Sequence, residues 1–139
     1  ELEVDVRVEE VFDRKPRRGI TGWLGAAKDA FFGSHTVILG AHLDPENFDV
    51  LVIGTPIWAG TATPAVLAYC RAERGRPRRT AFFCTMMAAG DRSAFSAMNQ
   101  AIGDEPLATM ALKQKQSASP EQLRAAAAEF AGKILDRLS

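Results

Sequence analysis

The stretch Phe48-Asp-Val-Leu-Val-Ile-Gly54 constrains the fold more than any other part of this sequence. Val50, Leu51, Val52 and Ile53 are consecutive and aliphatic, and the run stops at Gly-Thr-Pro. An apolar run without alternation predicts a strand buried on both faces, the pattern of a parallel sheet. Thr80-Ala-Phe-Phe-Cys84 repeats it. Between the two runs a helix is predicted, with Thr63 as its cap, Pro64 at its first position, Val66, Leu67 and Cys70 on its buried face and Gly75 at its end.

The same reading extends along the chain. After a loop over 85–92, a helix is expected with Phe95, Met98 and Ile102 inward and Gly103 as its stop. Residues 107–112 read as a weaker strand and 113–117 as a linker. Ser119-Pro-Glu-Gln122 has the form of a capping box with proline at the first helical position. It opens a last helix with Leu123, Ala127, Phe130, Ile134 and Leu138 at spacings of three and four. At the front, residues 1–8 alternate charge with Leu2, Val4, Val6 and Val8, which predicts a half-buried strand at a sheet margin. Residues 13–20 form a basic loop. Residues 21–32 read as a short helix with Trp23, Leu24, Ala27 and Phe31 on one face and Gly33 as its cap. Residues 35–46 read as irregular, with a turn at 45–47.

Strands alternating with helices imply a parallel sheet covered on both faces, a three-layer α/β/α sandwich. The 139 residues suit a single domain over 1–139. Seventeen Lys and Arg balance seventeen Asp and Glu, which excludes a strongly basic nucleic-acid binder. No apolar run approaches ~18 residues, so no membrane span is expected. No basic-then-apolar leader opens the sequence, and Cys70 and Cys84 read as free thiols in a reducing compartment, so a cytoplasmic protein is expected.

In open parallel sheets, ligands bind beyond the carboxyl ends of the strands. That directs attention to residues 54–62 and 84–91. In the first segment Ile57 and Trp58 are large and apolar, flanked by Gly54 and Gly60. Trp58 has two readings, a wall for a flat ligand or a side chain folded back on the sheet rim. In the second segment Ala88, Ala89 and Gly90 leave room for a ligand edge, and Met86 and Met87 pack adaptably; a plain connector is the other reading. His35 and His42 stand alone without metal-ligand spacing, so no metal is expected. Cys84 reads as core. Nucleophile-elbow, Walker-type and dinucleotide-binding glycine motifs are absent. A phosphoacceptor domain would want an aspartate where Gly54-Thr55 stands.

The segment from Phe48 to Gly60, followed by Thr63-Pro64, resembles the third-strand segment of the flavodoxin-like family, in which an apolar run, Gly, Ser or Thr, Pro, an apolar residue and Trp-Ala-Gly lead into a flavin loop. Ala81-Phe-Phe-Cys-Thr85 is similar to that family's fourth strand and second flavin loop. The resemblance implies a sheet of order 2-1-3-4-5 and FMN as cofactor. It implies that Thr55, Pro56, Ile57, Trp58, Ala59 and Gly60 contact one side of the flavin ring, and that Thr85, Met86, Met87, Ala88, Ala89 and Gly90 line its other edge. The Met-Met-Ala-Ala sequence departs from the glycine- and serine-rich second loop usual in the family. It also implies that strand 1, a phosphate loop and helix 1 precede Glu1, or that another segment or chain fills their slot. The function implied is FMN-dependent electron transfer or oxidoreduction, with the flavin carrying the chemistry and no catalytic side chain required. The donor would be NAD(P)H or a reductase, and the acceptor a small quinone-like molecule or a protein redox partner. The neutral charge favours an oxidoreductase over an acidic electron shuttle. The alternative is an FMN-free binding or assembly module of the same fold. Two surfaces are open to partners. Arg71, Arg74, Arg76, Arg78 and Arg79 form a basic patch against Glu73, and the 9–47 stretch, with Trp23, Phe31 and Phe32, covers the sheet or meets a second subunit of a homodimer.

Overall fold

A computed structural model describes residues 6–11, 37–39 and 43–139. Its centre is a four-stranded sheet of order β4-β3-β5-β6, built from β3 (Leu51–Trp58), β4 (Thr61–Ala62), β5 (Thr80–Met86) and β6 (Thr109–Lys113). β3 and β5 run parallel, pairing from Leu51 with Thr80 to Pro56 with Thr85. β5 and β6 run parallel from Phe82 with Thr109 to Met86 with Lys113. The three expected strands are therefore neighbours in the expected order. The sheet is mixed rather than wholly parallel, because β4 folds back antiparallel on the end of β3, Ile57 facing Ala62 and Trp58 facing Thr61.

Four helices follow the strands: α1 (Pro64–Ala72), α2 (Asp91–Ile102), the single turn α3 (Gln114–Ser117) and α4 (Pro120–Leu138). On one face α1 and α2 close a core of Ile53, Val66, Cys70, Phe82, Met98 and Ile102. On the other α4 packs Phe130 and Ile134 against Ala81, Phe83 and Leu107. Alternate residues of β5 thus go to opposite layers, as the period of a strand requires. This is the α/β/α class expected of a flavodoxin-like chain.

The helix signals act as read, with exceptions. Thr63 Oγ1 accepts from Val66 N–H (3.4 Å), and Pro64 opens α1. α1 stops at Ala72, before Gly75. Gly103 caps α2 at φ 79°. At Ser119 only half of a capping box forms: its side chain accepts from Gln122 N–H (3.4 Å), while its own N–H donates to Gln116 O (3.2 Å). That carbonyl comes from α3, a helical turn where a linker was expected, secured by Lys113 N–H on Gln116 Oε1 (2.9 Å). Leu138 is not core but 37% exposed.

Two larger expectations change. The 50–53 run is half-buried apart from Ile53, whereas Thr80 to Cys84 of β5 are buried throughout. β5 has a strand on each side. β3 has β5 on one edge and, among the described residues, only the two residues of β4 on the other. Among the described residues, the front of the chain contributes no strand to this sheet. β1 (Val8–Glu10) pairs in parallel with β2 (Val37–Leu39), inside the stretch expected to be irregular. The expected turn at 45–47 is a short 3-10 helix. Glu9 Oε1 accepts from Leu43 N–H (3.3 Å). The basic loop at 13–20, the helix read over 21–32, Gly33, His35, His42 and residues 1–5 lie outside the described residues.

Candidate functional site

The first candidate segment is not a loop from strand to helix. β3 continues through Trp58, and Ala59-Gly60 form a two-residue hairpin into β4. Both hairpin residues have positive φ, 51° and 78°, the requirement of a type I′ turn. A non-glycine residue at 59 pays a steric penalty of about 1 kcal/mol for this. Behind the hairpin, Thr55 is wholly buried and its hydroxyl is engaged. It donates to Pro56 O (2.8 Å) and accepts from Thr63 N–H (3.1 Å). One buried side chain thus ties the end of β3 to the cap of α1. Thr55 positions the turn and does not face outward.

Pro56 lies in β3 opposite Thr85, and Ile57 packs on the core between β3 and the α1–α2 layer. Trp58 is half-buried at the strand end. Ala59 and Gly60 are exposed, and nothing lies within 4 Å of the position a Gly60 Cβ would take. In the second segment Thr85 and Met86 are half-buried at the end of β5. Met87 is 78% exposed, and Ala88 and Ala89 are exposed. Gly90 starts α2 at φ 117°.

The two segments meet at Gly90. A Cβ there would stand 2.6 Å from Ile57 Cγ2 and 3.1 Å from Gly60 O, so the turns touch at their roots. Their tips, Ala59-Gly60 and Met87-Ala88-Ala89, form an uncharged rim beyond the carboxyl ends of β3 and β5. The structure therefore brings the two candidate segments together, Thr55 and Ile57 beneath and the other tips outward.

The electrostatics of this end are quiet. Burial pushes the Cys84 thiol up to about 12, with the charge of Asp91 adding to the effect, and burial pushes Cys70 up to about 11. Both thiols stay protonated and unreactive near neutrality, as the core reading of Cys84 requires. Among the described residues no cluster of three His, Cys, Asp or Glu could hold a metal, and no helix is long and apolar enough to cross a membrane.

A feature the linear reading missed lies beside the hairpin. A pocket of ≈ 370 Å³ opens between the hairpin and α1, lined by Trp58, Ala59, Thr61, Ala62, Pro64, Leu67 and Arg71. Trp58 therefore serves as a wall on this side as well as closing the strand end. The signal was present in the spacing of Leu67 and Arg71, one helical turn apart on α1.

The described residues suit the ring of a flavin. The rim is uncharged, built of small side chains and methionine, and open beside Gly60. They do not suit its phosphate. The Thr63 hydroxyl already occupies the start of α1, and α2 begins at Asp91, whose carboxylate opposes an anion.

No family model and no curated protein matches the chain. Among solved structures it is similar to a flavoprotein in complex with FMN from Lactobacillus acidophilus NCFM. The identity is 18%, the match covers 76% of this chain and 70% of that one, and the TM-score is 0.47. It is also similar to a thermophilic tryptophan halogenase from Streptomycin violaceusniger, with 15% identity, 81% and 90% coverage and a TM-score of 0.49.

Proposed function

We propose that this chain is a flavin-dependent redox protein of the FMN type, with the flavin ring lying on the rim formed by Ala59-Gly60 and Met87-Ala88-Ala89. The observation that carries this reading is the contact of Gly90 with Ile57 and Gly60, which joins two turns at the carboxyl ends of adjacent parallel strands into one uncharged surface. The Phe48 to Gly60 motif supports the same reading from sequence. When bound, a flavin supplies one- and two-electron chemistry. The chain's own part is positional. Thr55 and the hairpin hold the rim in shape, and the small residues at 88–90 let a planar group approach the backbone. Electron transfer from a nicotinamide donor or a reductase to a small quinone-like acceptor or protein partner, in a cytoplasmic setting, belongs to this proposal.

Fluorescence titration of FMN and riboflavin tests it. Saturable quenching is expected, weakened about tenfold when Met87→Asp puts a charge on the apolar rim, a change of about 1.4 kcal/mol. Met87 is exposed, so the substitution spares the core. Absence of saturable quenching, or equal affinity in the variant, overturns the reading in favour of a flavin-free binding module.

A further inference from the structure

The pocket behind the hairpin carries an inference independent of any flavin. Its walls are apolar, contributed by Trp58, Ala62, Pro64 and Leu67, and the charged group among its lining residues is the Arg71 guanidinium. Three neighbouring arginines are committed elsewhere. Arg74 donates to the carbonyls of Gln100 and Ala101 at the end of α2. Arg76 is held by Asp44, Glu46 and Glu73, and Arg78 stands 4.0 Å from Asp49. Arg71 has no hydrogen bond or ion pair among the described residues. A second hollow of ≈ 290 Å³ shares Leu67 and Arg71, so the guanidinium is reachable from both sides of its own stem.

We propose that this pocket binds an aromatic carboxylate, its ring against Trp58, Pro64 and Leu67 and its carboxylate on Arg71. The volume falls in the range of small-molecule sites, about 300–1,000 Å³. From Pro64 to Arg71 the helix rises about 10 Å, which sets the distance from the apolar end to the cation and suits a two-ring acid over a one-ring acid. A guanidinium presents paired N–H donors that match a carboxylate, and a cation at the end of an apolar trough discriminates an acid from its neutral isostere. Leu67 and Arg71 share one face of α1, so the helix fixes both contacts relative to each other.

The test uses 2-naphthoate and its neutral isostere 2-naphthamide. With Trp23→Phe, Trp58 becomes the remaining indole, and its side-chain N–H resonance reports on the pocket. Naphthoate is expected to move that resonance saturably and to bind at least about tenfold more tightly than the amide. Arg71→Gln is expected to remove about that factor for the acid and leave the amide unchanged, while Arg71→Lys retains part of it. Arg71 is exposed, so neither variant threatens folding. Equal binding of acid and amide, an unchanged acid affinity in Arg71→Gln, or no shift up to ~10 mM ligand overturns the proposal. So does a shift produced by an acidic peptide and not by naphthoate. Ala59 borders both the rim and the pocket, but Met87 belongs to the rim and Arg71 to the pocket, so Met87→Asp and Arg71→Gln distinguish failure of one reading from failure of the other.

Discussion

Gly54→Ala is the most informative single change in this molecule. Gly54 sits in β3 directly opposite Phe83 of β5, and the Phe83 ring lies across it. A Cβ at 54 would stand 2.1 Å from Phe83 Cζ and 2.5 and 2.6 Å from its two Cε atoms. Carbon atoms in contact prefer about 3.5–4.0 Å, so the ring would have to retreat by more than ~1 Å. It has little freedom to do so, being 7% exposed and edge-on to Phe130, with ring centroids 6.4 Å apart. Overpacking of this kind costs about 1–3 kcal/mol. Replacing a strand glycine returns up to about 1 kcal/mol of backbone entropy. The net expectation is a loss of about 1–2 kcal/mol, or a fall in Tm of roughly 3–8 °C for a chain of this size. Urea denaturation followed by circular dichroism measures it, with an unchanged m-value as the check on two-state behaviour. Phe83→Leu alone should lose a similar amount by opening space above Gly54, about 1–2 kcal/mol. Together the two changes should cost at least ~1 kcal/mol less than their sum, outside the ~0.5 kcal/mol scatter of independent sites. A neutral Gly54→Ala, or strict additivity, refutes the claim that this glycine exists to receive the ring.

Three further outcomes follow from the same geometry. Thr55→Val keeps the shape but leaves the buried Thr63 N–H without its acceptor, and should cost about 1–3 kcal/mol in the same denaturation assay, while Thr55→Ser restores most of it. Ala59→Asn places Asn-Gly in the hairpin and should stabilise by about 0.5–1 kcal/mol; a drop would contradict the positive φ at 59. Burial raises Cys70 and Cys84 from 9.0 to about 11 and about 12; burial first, then Glu73 and Glu9, raise Tyr69 from 10.0 to about 12. The unfolded chain loses these protons first, so stability is fully present below pH 9 and should fall as pH rises from 9 towards 12. A flat denaturation midpoint across that window would contradict the burial of all three groups.

Much of this fold is legible along the chain. The Thr63-Pro64 cap, the Gly103 stop and the inward Met98, Ile102, Phe130 and Ile134 are set by local capping chemistry and helical period, which neighbours in sequence supply. The candidate site was legible as two segments, which the structure brings together at Gly90. That the first is a hairpin was missed, because Ala59 occupies a turn position that asparagine or glycine usually marks. The expectation that the 50–53 run is buried on both faces also failed, since Val50, Leu51 and Val52 are half-buried. β3 carries the longer aliphatic run, yet β5 is the more buried, since burial depends on what lies on both edges of a strand.

From its residue pattern alone the chain is an alternating α/β protein, with two turns at the carboxyl ends of adjacent strands as the expected place for a ligand. The tertiary structure alone decided that Gly54 makes room for Phe83, that Gly90 closes onto Ile57 and Gly60, that the Thr55 hydroxyl faces inward, and that Arg71 lines one pocket with Trp58. Those are contacts between residues far apart in sequence. Capping and periodicity act over one or two turns of chain, whereas these depend on how strands register and helices settle across the whole sheet.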